Sequence, residues 1–400
     1  MKLIHTSDWH LGQNLHNIDR KEEHDAMVEQ LVELVKTENP DALVIAGDIY
    51  DVSMPNTTAQ KSLAEYLVKL HDACPSMVIV CISGNHDSAS RHEIFQTPWD
   101  ALGVKMLGKI DASDFSSNII HVADKGIIVA VPYTNERFLN DEFYSSLEEY
   151  VRELVSEVEN LPIVYVGHAA IKDCNYTGHK VIEDKYIGGI ECTDIKELGT
   201  IYDYIALGHI HKAQTFNDDR ARYCGTPVPV SFDEVRSGYE HTFSVVEIAL
   251  HGTMPTIRTV EVKPVKVLVN IPAERAAKWD EVMSELKNFP SDKKAYIRLN
   301  VLLAPGEILP SNREEQIKAA LSGKNAICVY VNPVRAVDEN AGKNNDASMR
   351  KSLTVQELQV IEPIEIMKAH AENQKITFKA EFNDMLAEVL RMVEETENED

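Results

Sequence analysis

The sequence predicts a layered α/β fold, in which helices flank mixed β-sheets, followed by a small α+β domain and C-terminal helices. Residues 1–262 alternate short β-branched runs with stretches of helical periodicity. Residues 263–335 repeat strand and helix patterns on a smaller scale, and residues 352–400 are again helical in pattern. At about 150 residues per domain, the 400 residues suit two or three domains.

The strands of the first domain are predicted from apolar runs that end in polar residues. These runs cover residues 2–6, 42–46, 77–83, 127–131, 163–166 and 204–207. Residues 24–36 carry apolar side chains at helical spacing, and Asn39 ends this helix because the residue before a proline avoids the helical region. Residues 118–122 and 241–247 resemble antiparallel strands at a sheet edge or in a second sheet.

The second domain is predicted as strand 267–271, helix 274–287, strand 295–301, helix 313–321 and strand 326–331. Residues 336–351 contain almost nothing that could pack, which predicts a linker. Thr354 and Glu357 have the spacing of a helix capping box. The tail then carries an apolar stripe at helical spacing, formed by Phe378, Phe382, Met385, Leu386, Val389 and Val393. This stripe either packs on its own domain or docks on another protein.

Composition and charge exclude several classes of protein. The chain is 44% hydrophobic and 26% charged, and it has no apolar run long enough to span a bilayer. Its six cysteines are scattered singly, which argues against a zinc ribbon or a disulfide framework, and its N-terminus lacks a signal-peptide pattern. We therefore expect a soluble, cytoplasmic protein. The formal net charge of −24 excludes a whole-surface attraction to nucleic acid, so such binding would need a local patch, a metal-lined site or a basic partner.

Five polar clusters follow predicted strands, and they are the strongest functional signal in the sequence. In open α/β sheets, ligands bind at the carboxyl ends of the strands, so these clusters could converge on one crevice. Glycine precedes the polar residue in four of the five, which suits an unusual backbone conformation or a close approach of a ligand. The candidate ligands are Asp8, His10, Asp48, Asn85, His168, His209 and His211.

Oxygen and nitrogen donors without a thiolate fit magnesium, manganese or iron, and fit zinc less exclusively. Seven ligands are too many for one ion. Two metal ions that share a bridging carboxylate fit the set better. A lone Asp-x-His or Gly-His pair is more often a chance occurrence or a buried, hydrogen-bonded histidine than a metal site, so the prediction depends on the joint and ordered occurrence of all five clusters.

This ordered set of Asp-x-His, Gly-Asp, Gly-Asn-His-Asp, Gly-His and Gly-His-x-His resembles the calcineurin-like metallophosphoesterase superfamily. Residues 4–13, 206–211 and 222–233 resemble the bacterial DNA nuclease subunits of that superfamily. The resemblance implies a metallophosphoesterase sandwich over residues 1–262, a capping domain over 263–335, a linker over 336–351, and C-terminal helices over 352–400 that dock a partner. It is dense up to about residue 235.

The resemblance also implies a role for each site residue. One metal would be held by Asp8, His10, Asp48 and His211, and the other by Asp48, Asn85, His168 and His209. Two Mn²⁺ ions are implied, with Mg²⁺ possible. His86 would contact the phosphate or protonate the leaving oxygen, and Asp87 would orient that ring or act as a structural acid. A loop hydrogen bond from Asp87 to backbone amides is the alternative. Archaeal and eukaryotic relatives carry a second catalytic histidine where this chain has Asp51.

The implied activity is ATP-dependent double-strand exonuclease and single-strand or hairpin endonuclease cleavage of DNA in end processing, repair, recombination and replication. The first implied partner is a coiled-coil ABC-type ATPase, and ATP would bind only to that partner. The other implied partners are DNA ends and hairpins at the nucleoid, and a second copy of the chain within a heterotetramer. A phosphatase or small-molecule phosphodiesterase, and a scaffold that has lost catalysis, are the alternatives. Candidate phosphate contacts are Arg20, Lys21, Arg91, Lys212, Arg220, Arg222 and Arg236. Trp9 is expected in the packed core.

Overall fold

Two β-sheets stacked face to face form the main part of the chain in a computed structural model. The structure describes residues 1–94, 96–134, 139–156, 160–172, 174–175, 193–216, 219–236 and 239–335, all within one compact unit. The predicted linker 336–351 and the predicted helices of 352–400 lie outside the described residues. Among the described helices, none combines the length and apolar character needed to cross a bilayer.

The described strands and helices are numbered here in chain order. The strands are β1 (Lys2–Thr6), β2 (Asn14–Leu15), β3 (Ile18–Asp19), β4 (Ala42–Ala46), β5 (Val78–Ile82), β6 (Val104–Leu107), β7 (Ile119–Val122), β8 (Gly126–Val131), β9 (Ile163–His168), β10 (Tyr204–Gly208), β11 (Gln214–Phe216), β12 (Ala221–Tyr223), β13 (Thr242–Glu247), β14 (Thr256–Glu261), β15 (Val267–Ile271), β16 (Ala295–Leu303) and β17 (Ala326–Arg335). The α-helices are α1 (Lys21–Glu38), α2 (Thr57–Ala73), α3 (Ala89–Glu93), α4 (Gln96–Asp100), α5 (Asp141–Ser156), α6 (Phe232–Arg236), α7 (Trp279–Lys287) and α8 (Arg313–Leu321).

The first sheet has the strand order β14-β13-β1-β4-β5-β6, and the second has the order β11-β12-β10-β9-β8-β7. Their central strands are parallel, with β1 beside β4, β4 beside β5, and β9 beside β10. The inner faces bury apolar side chains of both sheets against each other, among them Leu3, Val44 and Val80 from the first and Ile128 and Val164 from the second. Because both faces of the central strands are buried, the strands appear in the sequence as continuous apolar runs.

Helices cover the outer face of each sheet and complete the layers. In α1, Met27, Leu31 and Val35 recur at helical spacing and pack with residues of α2 on the first sheet. The helix ends before Pro40, as the sequence predicts, and its C-cap Asn39 adopts a left-handed conformation. On the second sheet, α5 buries residues such as Leu147.

Residues 263–335, which the sequence predicts as a second domain, form a separate three-stranded sheet with two helices, and this part is called the cap domain here. Its three strands pair in the order β15-β16-β17 and are all parallel, with α7 and α8 packed on one face of the sheet. On the other side, Leu268 and Tyr296 of the cap domain pack against Leu15 and Phe232 of the first domain. The apolar contact at Phe232 therefore fixes the cap domain next to α6.

Most predicted elements lie within a few residues of the observed ones, and two differences have a clear physical reason. The predicted helix 274–287 begins at Trp279, because residues around Ala277 form an isolated bridge to Val301 instead. The sequence predicts an edge or second-sheet strand at residues 241–247. The observed β13 is antiparallel, but it lies inside the first sheet because β14 pairs with its free side.

Candidate metal centre

The predicted polar clusters converge at one edge of the stacked sheets. Asp8 and His10 follow β1, Asp48 follows β4, and Asn85 follows β5, and these three strands are neighbours in the first sheet. His168 ends β9, while His209 and His211 follow β10, its neighbour in the second sheet. Because these parallel strands point the same way, their carboxyl ends bring all seven predicted side chains together.

One group of ligand atoms is formed by Asp8, His10 and His211, which lie within 4.8 Å of one another and are buried. The Nε2 atoms of His10 and His211 face each other at 3.2 Å. The carboxylate of Asp8 accepts the hydroxyl of Ser7 and the backbone N–H of His209, at 3.0 Å from Oδ1. These bonds fix the carboxylate beside the two imidazole rings.

A second group is formed by Asp48, His168 and His209, again within 4.8 Å. The Asp48 Oδ2 atom lies 3.4 Å from His168 Nε2 and 3.9 Å from His10 Nε2, so one carboxylate oxygen faces both groups. Asn85 Oδ1 lies 3.0 Å from His168 Nε2 and 2.8 Å from His209 Nδ1. Asp48 also groups with His10 and His86 within 4.8 Å, so its carboxylate lies between the two sets of ligand atoms, where a bridging ligand is predicted.

The backbone at these residues is strained. Asp8, His10, Asp48 and His209 have φ angles of 52°, 49°, 47° and 95°, in the left-handed region that side chains larger than glycine rarely adopt. Each such residue costs about 1–3 kcal/mol, and conformations of this kind persist where the surrounding structure requires them. Four strained residues among seven predicted ligands indicate a site maintained for function.

Two glycines allow the strands to approach closely enough for this site. A Cβ atom on Gly84 would lie 2.2 Å from Asp48 Oδ1, and one on Gly208 would lie 1.9 Å from the carbonyl oxygen of Ala46. Neither distance leaves space for a methyl group. Glycine is therefore required at these two positions because one strand end lies very close to another.

A sequence model of the calcineurin-like phosphoesterase family matches residues 1–213, more than half of the chain. The chain belongs to this family. Among curated proteins it is 28% identical over 313 residues to the SbcD component of nuclease SbcCD from Rhodobacter capsulatus, which covers 72% of this chain and 75% of that protein. It is 28% identical to the protein of the same name in Escherichia coli K12, over 71% of this chain and 76% of that protein. It is also 28% identical to the one in Bacillus subtilis, over 76% of this chain and 80% of that protein.

In this phosphoesterase, a surrounding layer of acceptors orients the histidines. His168 Nδ1 donates to the carbonyl oxygen of Ala46 at 2.9 Å, and His211 Nδ1 donates to Glu234 Oε1 at 3.0 Å. The Nδ1 atom of His10 faces Asp51 Oδ1 at 3.4 Å. A proton on Nδ1 leaves the Nε2 lone pair for a metal ion. The sequence analysis missed Glu234, whose only local signal is an acidic residue in a short helix.

Electrostatics at the site favour positive charge. Burial alone would lower the pKa of His168, but the carboxylate of Asp48 outweighs it and raises the pKa to about 9. Burial and the charge of His10 lower the pKa of His211 to about 4, so this ring is neutral at pH 7. Burial would raise the pKa of Asp48, and the adjacent His168 nevertheless holds it well below its usual range. The buried carboxylates thus stabilise a cation at this edge.

The donor set, with carboxylate, imidazole and amide groups and no thiolate, fits a hard or borderline divalent ion. The two clusters, the strained backbone and the oriented imidazoles all agree with this chemistry. The site is therefore compatible with divalent metal binding by the residues that the sequence predicts.

His86 lies at the mouth of the site, where its side chain is exposed. Its backbone N–H donates to Asp48 Oδ1 at 2.8 Å, and its ring packs edge-on against His10, with the centroids 4.9 Å apart. The ring Nδ1 donates to the carbonyl oxygen of Asp51 at 2.7 Å, which directs Nε2 away from that carbonyl. His86, His10 and Asp48 place ligand atoms within 4.8 Å of one another, so this exposed imidazole lies beside the candidate ligands and can reach a bound substrate.

Asp87 faces the backbone rather than the ring of His86. Its carboxylate accepts the N–H groups of Ile49, Tyr50 and Gly84, at 3.1, 2.9 and 2.9 Å. The bonds from Ile49 and Tyr50 tie the loop after β5 to the loop after β4, and the bond from Gly84 closes the loop after β5 on itself. The arrangement is the backbone hydrogen-bonding alternative that the sequence left open for this residue.

Two of the predicted phosphate contacts are wrong. Arg20 is 1% exposed and donates to the carbonyl oxygen of Pro229, and Arg222 is 7% exposed and donates to Ser244 Oγ. Both lie in the interior and cannot reach a ligand. Lys21 forms an ion pair with Asp25 and Arg220 lies 3.9 Å from Asp203, whereas Arg91 is exposed and Lys212 is half-buried. The Arg236 side chain lies outside the described residues. Trp9 is fully buried in the core, as expected.

Proposed function

We propose that the chain is the nuclease subunit of an SbcCD-type complex, which hydrolyses DNA phosphodiester bonds with two Mn²⁺ ions. The observation that carries this proposal is the carboxylate of Asp48, whose Oδ2 atom faces His10 of one cluster and His168 of the other. Membership of the phosphoesterase family and similarity to curated SbcD proteins over most of the chain support the choice of substrate.

Asp8, His10, Asp48 and His211 would hold one ion, and Asp48, Asn85, His168 and His209 the other, with Asp48 as the bridge. When bound, such ions would supply Lewis-acid chemistry, which lowers the pKa of a water molecule and neutralises charge on the attacked phosphate. The protein contributes fixed ligands, because the strained backbone and the Nδ1 hydrogen bonds set their directions before an ion binds.

His86 is the proposed catalytic residue. Because its Nδ1 proton is held by the Asp51 carbonyl, the Nε2 proton of its imidazolium form is the one that can contact the phosphate or pass to the leaving 3′ oxygen, which leaves the ring neutral. Asp87 is proposed to act through His86 by fixing its loop, so it is a positioning residue here. No second histidine role is proposed for Asp51, whose carboxylate faces His10 instead.

The partner is proposed to be an SbcC-type ABC ATPase that binds ATP and docks on the helices predicted at 352–400. The names of these curated relatives describe one component of a multi-subunit nuclease, which supports this partner. A negative net charge is compatible with DNA cleavage when a partner supplies much of the contact with DNA. The chain is further proposed to form a homodimer within a heterotetramer and to act in the cytoplasm at the nucleoid. Residues 263–335 are proposed to have a capping role.

The experiment measures cleavage of a hairpin-ended duplex and of a chromogenic phosphodiester, with and without Mn²⁺ and the cognate ATPase plus ATP. The variants are Asp48→Asn and His86→Gln, with His121→Gln, an exposed histidine on β7, as the matched control. We expect Mn²⁺-dependent cleavage of the duplex that rises with the ATPase and ATP. Both site variants should lose at least about a hundredfold in rate, and the control should not change. Turnover of the small ester alone, indifferent to the ATPase, would instead identify a general phosphodiesterase.

Docking of the ATPase is tested on the apolar stripe. Leu386→Gln places an amide on the stripe, and Glu388→Gln places the same side chain nearly opposite to it on the predicted helix. We expect only Leu386→Gln to weaken capture of the ATPase while leaving Mn²⁺ binding unchanged. Equal capture by both variants would indicate that the stripe packs on its own domain.

A further inference from the structure

Helix α6, residues 232–236, contacts the metal site on one side and the cap domain on the other. It is only five residues long and follows a loop that runs back from the second sheet. Consecutive residues along it point in different directions, so neighbouring side chains can bind different parts of the molecule. The contacts of Phe232, Asp233 and Glu234 can be followed one by one.

Glu234 makes the contact with the metal site. It is only 2% exposed, and its Oε1 accepts the Nδ1 proton of His211 at 3.0 Å while its Oε2 accepts the backbone N–H of Val230 at 3.0 Å. Because both oxygens are engaged, the carboxylate has one orientation. That orientation fixes the tautomer and direction of the His211 ring, whose Nε2 faces His10.

Arg298 of β16 makes the contact with the cap domain. Its Nη2 donates to Asp233 Oδ1 at 2.8 Å, and its guanidinium carbon lies 5.3 Å from the centroid of the Phe232 ring. Its Nε donates to Asn270 Oδ1 at 2.7 Å, and Asn270 Nδ2 donates to the carbonyl oxygen of Phe232 at 3.0 Å. Phe232 also packs against Leu268 of the cap domain. These buried contacts hold α6 by its side chains and its backbone.

We propose that α6 couples the cap domain to the metal site: Glu234 is a positioning residue for the ligand His211, and the Arg298–Asp233 ion pair holds α6 where Glu234 reaches that ring. This coupling rests on the proposed metal site, and it means that the position of the cap domain affects metal binding there. A hydrogen bond of 3.0 Å is lost when its partners separate by about half an ångström to 3.5 Å or more. A small displacement of the cap domain is therefore sufficient to release the His211 ring.

Coupling between two sites is reciprocal, which gives the proposal a second consequence. If the cap domain stabilises the metal-ready orientation of His211, then metal binding stabilises the docked cap domain. Mn²⁺ added to the full chain is expected to slow amide hydrogen exchange in α6 and in β16.

The test measures Mn²⁺ binding to the full-length chain directly, by the loss of the free-ion electron paramagnetic resonance signal. The kcat and KM for DNA cleavage are measured on the same samples. The variants are Glu234→Gln, Arg298→Met and Asp233→Asn, which removes only the charge that Arg298 meets. The matched control is Arg275→Met, because Arg275 is an exposed cap-domain arginine that pairs with Glu281 within the same domain.

We expect Glu234→Gln to weaken Mn²⁺ binding at one site about 10- to 100-fold. Arg298→Met and Asp233→Asn should each weaken it at least about threefold, and the control should change it by less than about twofold. A chain carrying both Glu234→Gln and Arg298→Met should bind no more weakly than Glu234→Gln alone, because the two residues act on the same ring. At saturating Mn²⁺, kcat should largely recover while KM for DNA changes little.

Wild-type affinity in both folded Asp233→Asn and folded Arg298→Met would overturn the coupling, as would full additivity in the double variant. Wild-type affinity in Glu234→Gln would overturn the positioning role. A wild-type chain that binds no Mn²⁺ would instead contradict the proposed function, so the two failures are distinguishable. Melting curves on each variant show which samples are folded, and Asp233→Asn preserves the test if Arg298→Met unfolds the cap domain.

Discussion

Replacing Gly208 by alanine should destroy the metal site by steric means alone. The new Cβ atom would lie 1.9 Å from the carbonyl oxygen of Ala46, about 1.5 Å inside an ordinary 3.4 Å contact, and 2.9 Å from both His168 Nδ1 and Ser7 Cβ. The end of β10 must therefore move away from β4. This movement separates His168 and His209 from Asp48.

The expected cost is about 1–3 kcal/mol in the free energy of unfolding, which is typical of overpacking in a well-packed core. A misplacement of about 1 Å in a catalytic group can lower a rate about 100-fold, so loss of Mn²⁺ binding and cleavage should far exceed the loss of stability. Urea unfolding, Mn²⁺ titration and cleavage of the hairpin duplex measure the three quantities on the same preparation.

Gly323→Ala is the control, because a Cβ atom there meets nothing within 4 Å although φ is 74°. It should lower the free energy of unfolding by about 1 kcal/mol through backbone strain, without any effect on Mn²⁺ binding. A folded Gly208→Ala chain that binds Mn²⁺ and cleaves DNA like the wild type would refute the steric argument.

Two further predictions concern buried polar groups near the site. The Asp87 carboxylate accepts three backbone N–H groups, and Asp87→Asn replaces it by an amide with one acceptor oxygen. This variant should lower the free energy of unfolding by about 2–4 kcal/mol in urea titrations. An unchanged unfolding midpoint would contradict this role of Asp87. Burial lowers the pKa of His5 to about 3, so below about pH 6.5 the unfolded chain binds a proton that the folded chain does not bind. The free energy of unfolding therefore falls as the pH drops from about 6.5 towards 3. His5→Gln should reduce the slope of the free energy of unfolding against pH by about 1.4 kcal/mol per pH unit between about pH 6 and 4. The control His121→Gln should leave this slope unchanged. Equal slopes in the two variants would show that His5 is not the titrating group.

Much of the fold could be predicted because its signals are local. The sequence predicts β1 and β4 with their observed bounds, since continuous apolar runs bounded by polar residues identify buried strands. The position of β13 could not be predicted in this way. Whether an antiparallel strand lies at an edge depends on a later strand, β14, that pairs with its free side.

The same division holds at the candidate site. All seven ligand candidates lie at or within four residues of a strand end, where a polar residue after an apolar run is visible in the sequence. Asp87 has the same local signal as His86, yet the structure directs its carboxylate to three backbone amides. A motif identifies which side chains gather, and only the packed loops decide which of them face a ligand.

The sequence by itself determined the strands, the order of the polar clusters and the donor chemistry, because periodicity and residue type act over a few neighbouring positions. Only the tertiary structure decided that Glu234 orients His211 and that Arg298 of the cap domain holds the same short helix. It also buried Arg20 and Arg222, which resemble surface cations in the sequence. These contacts join residues far apart in the chain, and such residues meet only after the sheets have stacked and the cap domain has packed on α6.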